Sequence, residues 1–225
     1  MEKKEKRSKG KKKPWPTKDA MEQVYAKNLW GGSTVDFYSG EGSHHPEIVS
    51  PYKSALIAFL SSFKNPLVVC DLGCGDFNVG KELVPYTKKY IAVDIVGPLI
   101  SHSKEKFQSV NLEFHCLDIA KDALPSGDCA IVRQVLQHLS NAEIQSVLNK
   151  LSVYEYVIIT EHVPEGTFEP NVDIISGQGT RLKKQSGVNV LQAPFLFKVK
   201  EEKQLVTVRL NEGQGVIVTT MYKVF

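Results

Sequence analysis

The sequence lacks most features that would take it outside an ordinary folded domain. Of its 225 residues only four are cysteine, Cys70, Cys74, Cys116 and Cys129, and no two form a CxxC pair. Zinc-site and dithiol readings have no supporting spacing, so no metal is expected. The thiols are predicted to be reduced and buried, since three fall in or beside strand-like runs. No apolar run reaches the ~18 residues that span a bilayer. The basic N-terminus is not followed by the apolar stretch of a secretory signal, so a cytoplasmic protein without a membrane span is expected. No internal repeat is visible. Hydrophobic residues at 42% and charged residues at 24% are ordinary for a globular chain.

Acidic residues are scarce at one end only. Residues 1–13 hold eight Lys and Arg against two Glu, a surplus of +6, while the rest of the chain holds 20 basic and 23 acidic residues, or −3. The expected organisation is a basic tail over 1–16, then a single domain over 17–225. The tail would serve either as a disordered solubilising arm or as a contact for nucleic acid, anionic lipid or an import receptor.

Thr17 is placed to cap a helix running to about Lys27. Next comes KNLWGGSTVDFYSGEGSHHPE, where glycines alternate with Trp30, Phe37 and Tyr38, the make-up of a structured lid. Ser50-Pro51 reads as a cap and first helical position for a helix to about Phe63. From there the chain alternates. Strand-like runs are LVVCDL (67–72), YIAVDI (90–95), LEFHCLD (112–118), CAIVR (129–133) and YVIIT (156–160). Helical segments are predicted over 78–88, 97–108 and 141–153, the last opening on a Ser140–Glu143 capping box. Such alternation predicts an α/β domain, a Rossmann-like doubly wound sheet that is mostly parallel and covered on both faces. QLVTVRL (204–210) and GVIVTTMYKVF (215–225) flank Asn211-Glu-Gly-Gln-Gly215, so the sheet should finish in a C-terminal antiparallel hairpin.

The run 67–72 ends on an acid and two close glycines, Asp71-Leu-Gly73-Cys-Gly75. In a doubly wound sheet, ligands bind beyond the strands' carboxyl ends where strand order reverses, and this turn lies there. An acid about 20 residues on would accept ribose hydroxyl protons. Asp94 stands 21 residues after Gly73, and Asp118 ends the third strand, where it would face an adenine amine. A dinucleotide would call for GxGxxG, but Asn78 occupies the third glycine position. Asp71 and Asp76 would also repel a pyrophosphate and suit a cationic ammonium or sulfonium.

These residues resemble the class I S-adenosylmethionine-dependent methyltransferases. DLGCGD is similar to their first motif, AVDI to the second, LDIA to the third, and RQVLQHLS to the segment after the fourth strand. The resemblance covers roughly 50–160 and the terminal hairpin. Phe77 departs from it, standing where many members have glycine, and a side chain there is expected to narrow the cofactor mouth. The resemblance implies S-adenosylmethionine as cofactor and S-adenosylhomocysteine as product. Asp71, Gly73, Cys74 and Gly75 would meet the methionine part, Asp94 and Ile95 the ribose and adenine, and Asp118 and Ile119 the adenine edge. Arg133 and Gln134 would lie beneath the sulfonium.

A hydroxyl acceptor gains from a base, and His138 is the candidate, set against packing below the cofactor. Glu161 and His162 at the fifth strand's tip, and His44 and His45 after the glycine-rich lid segment (within 17–64), would line a polar acceptor site. The polar stretch 163–200, too long for a plain connection, reads as an acceptor-binding insertion with Arg181 pairing a carboxylate or phosphate, or else as a solvated loop. No Asn-Pro-Pro-Tyr element marks nitrogen methylation. The segment KNLWGGSTVDFYSGEGS is similar to methyltransferases of glycan or polysaccharide assembly, which implies a sugar hydroxyl or another small hydrophilic acceptor. RNA or protein recruited by the basic tail, and a non-catalytic binding module, remain the alternatives.

Overall fold

The computed structural model describes residues 14–32 and 36–225; the basic stretch 1–13, with the expectations placed on it, lies outside them. Among the described residues seven strands form one sheet: β1 (Val68–Leu72), β2 (Lys89–Asp94), β3 (Leu112–Cys116), β4 (Cys129–Arg133), β5 (Tyr156–Val163), β6 (Glu201–Arg209) and β7 (Val216–Lys223). Their order is β3-β2-β1-β4-β5-β7-β6. The first five run parallel, and β7 enters antiparallel between β5 and β6. Strand order therefore reverses beside β1, which pairs with β2 on one edge and β4 on the other.

Both faces of the sheet are covered, which is why these strands read as continuous apolar runs instead of alternating ones. Cys70, Leu72, Ala130, Val132, Val157 and Ile159 pack against Ile144, Val147, Leu148 and Leu151 of helix α4 (Asn141–Leu151). Val69, Ile131, Ile158 and Met221 face Tyr52, Leu56 and Leu60 of α2 (Pro46–Ser61). Helix α3 (Gly97–Lys106) crosses from β2 to β3, and α1 (Thr17–Ala26) lies over the carboxyl ends of the strands. The capping box of α4 is formed, with Ser140 and Glu143 bonding each other's backbone N–H.

Several local expectations are corrected. Thr17 does not cap α1. Pro16 occupies the cap, and the Thr17 hydroxyl instead donates to Glu143 of α4. Helix α2 starts at Pro46, which fills the first turn as Pro51 was expected to; Pro51 lies inside the helix and removes one ladder bond. No α-helix forms over 78–88. The chain makes two 3-10 turns, Gly80–Glu82 and Val84–Tyr86, because Pro85 has no N–H and the Val84 carbonyl is taken by the Thr87 hydroxyl (2.8 Å) and the Asn111 amide (3.2 Å). All four cysteines are free, but Cys116 is exposed. Strand β5 runs three residues past 160, so Glu161 and His162 belong to the strand and project to opposite faces.

Candidate functional site

A cleft of about 300 Å³ opens at the carboxyl ends of β1, β2 and β4 and is roofed by α1 and the segment 39–43. Gly73 has φ +91, and a side chain there would collide with Val135. That glycine lets the β1 turn pack beneath the segment leaving β4, with the Gly73 and Cys74 amides both donating to the Val93 carbonyl (2.8 and 2.9 Å). Gly75, at φ +56, comes equally close to the Ser39 hydroxyl.

The strand-end acids stand in register. Asp94 is buried, and each of its oxygens accepts one backbone N–H, from Gly75 and from Val96, both at 3.0 Å. A carboxylate oxygen has two acceptor positions, so one on each side stays available for a pair of vicinal hydroxyls. Asp71 accepts the Tyr90 hydroxyl at 2.9 Å, and burial pushes its carboxyl up to about 6. Asp118 accepts the Ala120 N–H (3.0 Å) and pairs with Lys121 (2.7 Å). Ile95 and Ile119 supply apolar wall beside these acids, and Cys74 lines the cleft with its thiol pushed up by burial. Vicinal-hydroxyl acceptors, apolar walls and clustered carboxylates fit an adenosyl sulfonium bearing an amino group.

Other expected residues hold the cleft together. Arg133 donates to the Ser43 hydroxyl (3.1 Å) and the Gly42 carbonyl, and its guanidinium lies 4.8 Å over the Tyr52 ring. Gln134 packs against Gly42. Both reach the cleft, but Arg133's charge is directed at the roof. Phe77, despite φ +61, is fully buried among Tyr90, Phe107 and Phe114, so it does not narrow the mouth.

Of the acceptor-side residues, His138 and His162 line the cleft together. Burial lowers the His138 imidazole to about 4, so it is neutral at pH 7. His162 is also lowered by burial. His44 is instead bonded to Asp76 (2.6 Å) and stacked on Tyr38 (4.3 Å), anchoring the roof. His45 precedes α2, where its carbonyl takes the Ile48 and Val49 amides. Glu161 is buried on the opposite face of β5 from His162, with neither oxygen partnered among the described residues, and burial raises it to about 8. Arg181 is only 1% exposed, so the expected pairing with an acceptor anion is corrected. Its two Nη atoms donate to the carbonyls of Leu136, Gln137 and Leu139 and to Asn141 Oδ1, which turns it away from the cleft.

Sequence reasoning placed Trp30 in the lid but missed Met21, Tyr25, Ser39 and Gln137. A signal existed for some: Thr17, Met21 and Tyr25 recur every fourth residue and line the cleft from one face of α1. No sequence signal joins Ser39 to Asp76, whose backbone and side chains bond reciprocally at 2.8 Å. Among the described residues no group of three or more His, Cys, Asp or Glu is placed to hold a metal.

Residues 69–153 match the family model described as a methyltransferase domain. Solved structures add whole-chain likeness at low identity. N-methyltransferase NodS from Bradyrhizobium japonicum WM9, in complex with S-adenosyl-L-homocysteine, superposes with a TM-score of 0.63 at 11% identity over 91% of this chain and 99% of that one. Magnesium protoporphyrin IX methyltransferase (ChlM) from Synechocystis PCC 6803, with the same product bound, gives 0.57 at 14% over 92% and 100%. The [4+2]-cyclase SpnF gives 0.59 at 12% over 93% and 98%. No curated protein matches the chain. These neighbours establish a class I methyltransferase fold, and their differing names show that the fold leaves the acceptor open. The matched segment and the cleft's chemistry agree: residues 69–153 match a methyltransferase domain, and the acids at its strand ends suit an adenosyl sulfonium.

Proposed function

We propose that the chain is an S-adenosylmethionine-dependent methyltransferase that acts on oxygen, at a hydroxyl of a small hydrophilic acceptor such as a sugar. One observation carries the reading: two uncharged histidines, His138 and His162, stand on the wall of the cleft that holds the cofactor acids. A neutral imidazole can take a hydroxyl proton, which an alcohol must lose and an unprotonated amine need not lose before attack. When bound, the cofactor supplies a methyl group on a sulfonium, already activated for displacement.

The chain's own residues then hold and align. Asp94 takes the ribose hydroxyls, Ile95 and Ile119 flank the adenine with Asp118 at its edge, and Asp71 with the 73–75 turn holds the methionine part. Tyr25 and Trp30 on the roof supply apolar surface for the C–H side of a sugar.

The test is an acceptor screen with methyl-labelled cofactor and full-length protein, over free and nucleotide-linked sugars, glycans, amines, RNA and peptides. A methyl ether on a small acceptor is the expected product. Label recovered on nitrogen, as the NodS name would suggest by analogy, or on RNA or protein alone, overturns the reading.

A further inference from the structure

His138 and His162 share the cleft but are held in opposite tautomers. His138 Nδ1 lies 3.2 Å from the Gly179 carbonyl, which can only accept, so that nitrogen carries the proton. Its Nε2 lies 3.2 Å from Gln137 Nε2. The Gln137 amide is oriented from its other end, because Gln137 Oε1 accepts the His162 backbone N–H at 3.2 Å. Gln137 therefore donates into the lone pair of His138, and both ring nitrogens of His138 are engaged inside the protein.

His162 is the reverse. Its Nε2 lies 2.6 Å from the Gln214 carbonyl, so Nε2 bears the proton and the neutral ring leaves Nδ1 bare. Among the described residues nothing bonds to that nitrogen. The contact depends on the β6–β7 turn. Gly215, at φ +83, passes so close to the Val163 carbonyl that a side chain would collide with it, and this approach brings Gln214 against the ring. A base held by a second group that fixes its tautomer is the usual arrangement for proton abstraction.

We infer that His162, and not His138, is the catalytic proton acceptor, oriented by the Gln214 carbonyl. The inference rests on the oxygen-transfer reading. In the step, a lone pair of the acceptor oxygen forms the new C–O bond as the C–S bond breaks, and sulfur keeps the electron pair of that bond. The hydroxyl proton passes to His162 Nδ1, and the resulting imidazolium keeps its Nε2–H on the Gln214 carbonyl until solvent removes a proton. His138 acts as wall and positioning residue, held by Gln137 and Gly179.

The first test needs no acceptor. Long-range ¹H–¹⁵N spectra of the wild-type protein at neutral pH, with and without S-adenosylhomocysteine, report each imidazole tautomer. His162→Gln and His138→Gln serve to assign the signals. His162 is expected as the Nε2–H form and His138 as the Nδ1–H form; a His162 ring protonated at Nδ1 overturns the assignment. The second test uses the acceptor found in the screen. His162→Gln keeps an amide donor for the Gln214 carbonyl but has no Nδ1, so the single-turnover rate should fall by about 10²–10³ while affinity for S-adenosylhomocysteine stays within about threefold. His138→Gln should lose far less. Near-normal turnover by His162→Gln overturns the inference. Label on nitrogen instead defeats the oxygen reading, which the tautomer spectra would not report, so the two failures can be told apart.

Discussion

Two segments without a repeating pattern support the cleft, one over its mouth and one behind the His138 turn that forms part of its wall, and they hold by different chemistry. The N-terminal roof is tied down by polar contacts that are only part-buried. Ser39 and His44 bind Asp76, the Asn78 amide reaches the Ser43 carbonyl (2.8 Å), and Arg133 reaches Ser43 and Gly42. The 163–200 segment is instead built into the core. Val188, Val190 and Phe195 join the apolar cluster on the α4 face, and buried Asn171 bonds the backbone of Asn189 and Ala193. The first arrangement is expected to open without global unfolding and the second is not. The roof is a latch, and the insertion is a buttress behind the turn that carries Gln137 and His138.

The largest expected effect breaks the buttress. Arg181→Leu leaves three buried carbonyls and Asn141 without their donor, and should lower stability to denaturant by about 3–5 kcal/mol. A loss below 1 kcal/mol would show that the insertion is merely draped over the domain. Next comes a residue belonging to neither segment. Asp94→Ala removes the acceptors for the ribose and should weaken S-adenosylhomocysteine binding by about 2–3 kcal/mol in calorimetry. Unchanged affinity would remove the strand-end acids from cofactor recognition.

Glu161 sharpens the comparison through pH. Burial lifts its carboxyl from about 4.5 to about 8, so the folded state keeps a proton that the unfolded chain releases. The stability this group supplies is complete below about 4.5 and is lost as pH rises through about 8. Glu161→Gln cannot titrate. It should match the wild type near pH 4.5 and become the more stable protein from pH 6 upward, the gap widening to pH 8–9 in thermal melts. A constant gap across that range would mean that Arg181 nearby already holds the carboxylate charged.

The parallel sheet, its antiparallel ending and the strand-end acids were legible because each leaves a local mark: an apolar run, a glycine turn, an acid at fixed spacing. The two flanking segments were not, for a physical reason. Arg181 and Asn171 are polar residues in a polar stretch, and sequence alone does not distinguish a guanidinium offered to a ligand from one folded back on carbonyls about 40 residues away. Glu161 and His162 were placed together at a strand tip, yet a strand three residues longer than expected sends one inward and the other to the cleft. Helix α1 was half legible: its extent was, but its cap residue was misjudged and the four-residue spacing of Thr17, Met21 and Tyr25 went unread.

The smallest effect tests the latch alone. The Ser39 hydroxyl accepts the Asp76 N–H at 2.8 Å and meets the Tyr25 hydroxyl at 2.9 Å, so one oxygen joins the roof, the glycine loop and α1. Ser39→Ala removes that oxygen but keeps the Ser39 amide on Asp76. The loss should be about 1 kcal/mol, roughly fivefold in S-adenosylhomocysteine affinity, and it should appear as faster dissociation in stopped-flow measurements because the latch opens more often. Melting temperature without ligand should barely move. If it falls as far as in a buttress variant, the roof is part of the core like the insertion, and the distinction between the two segments disappears.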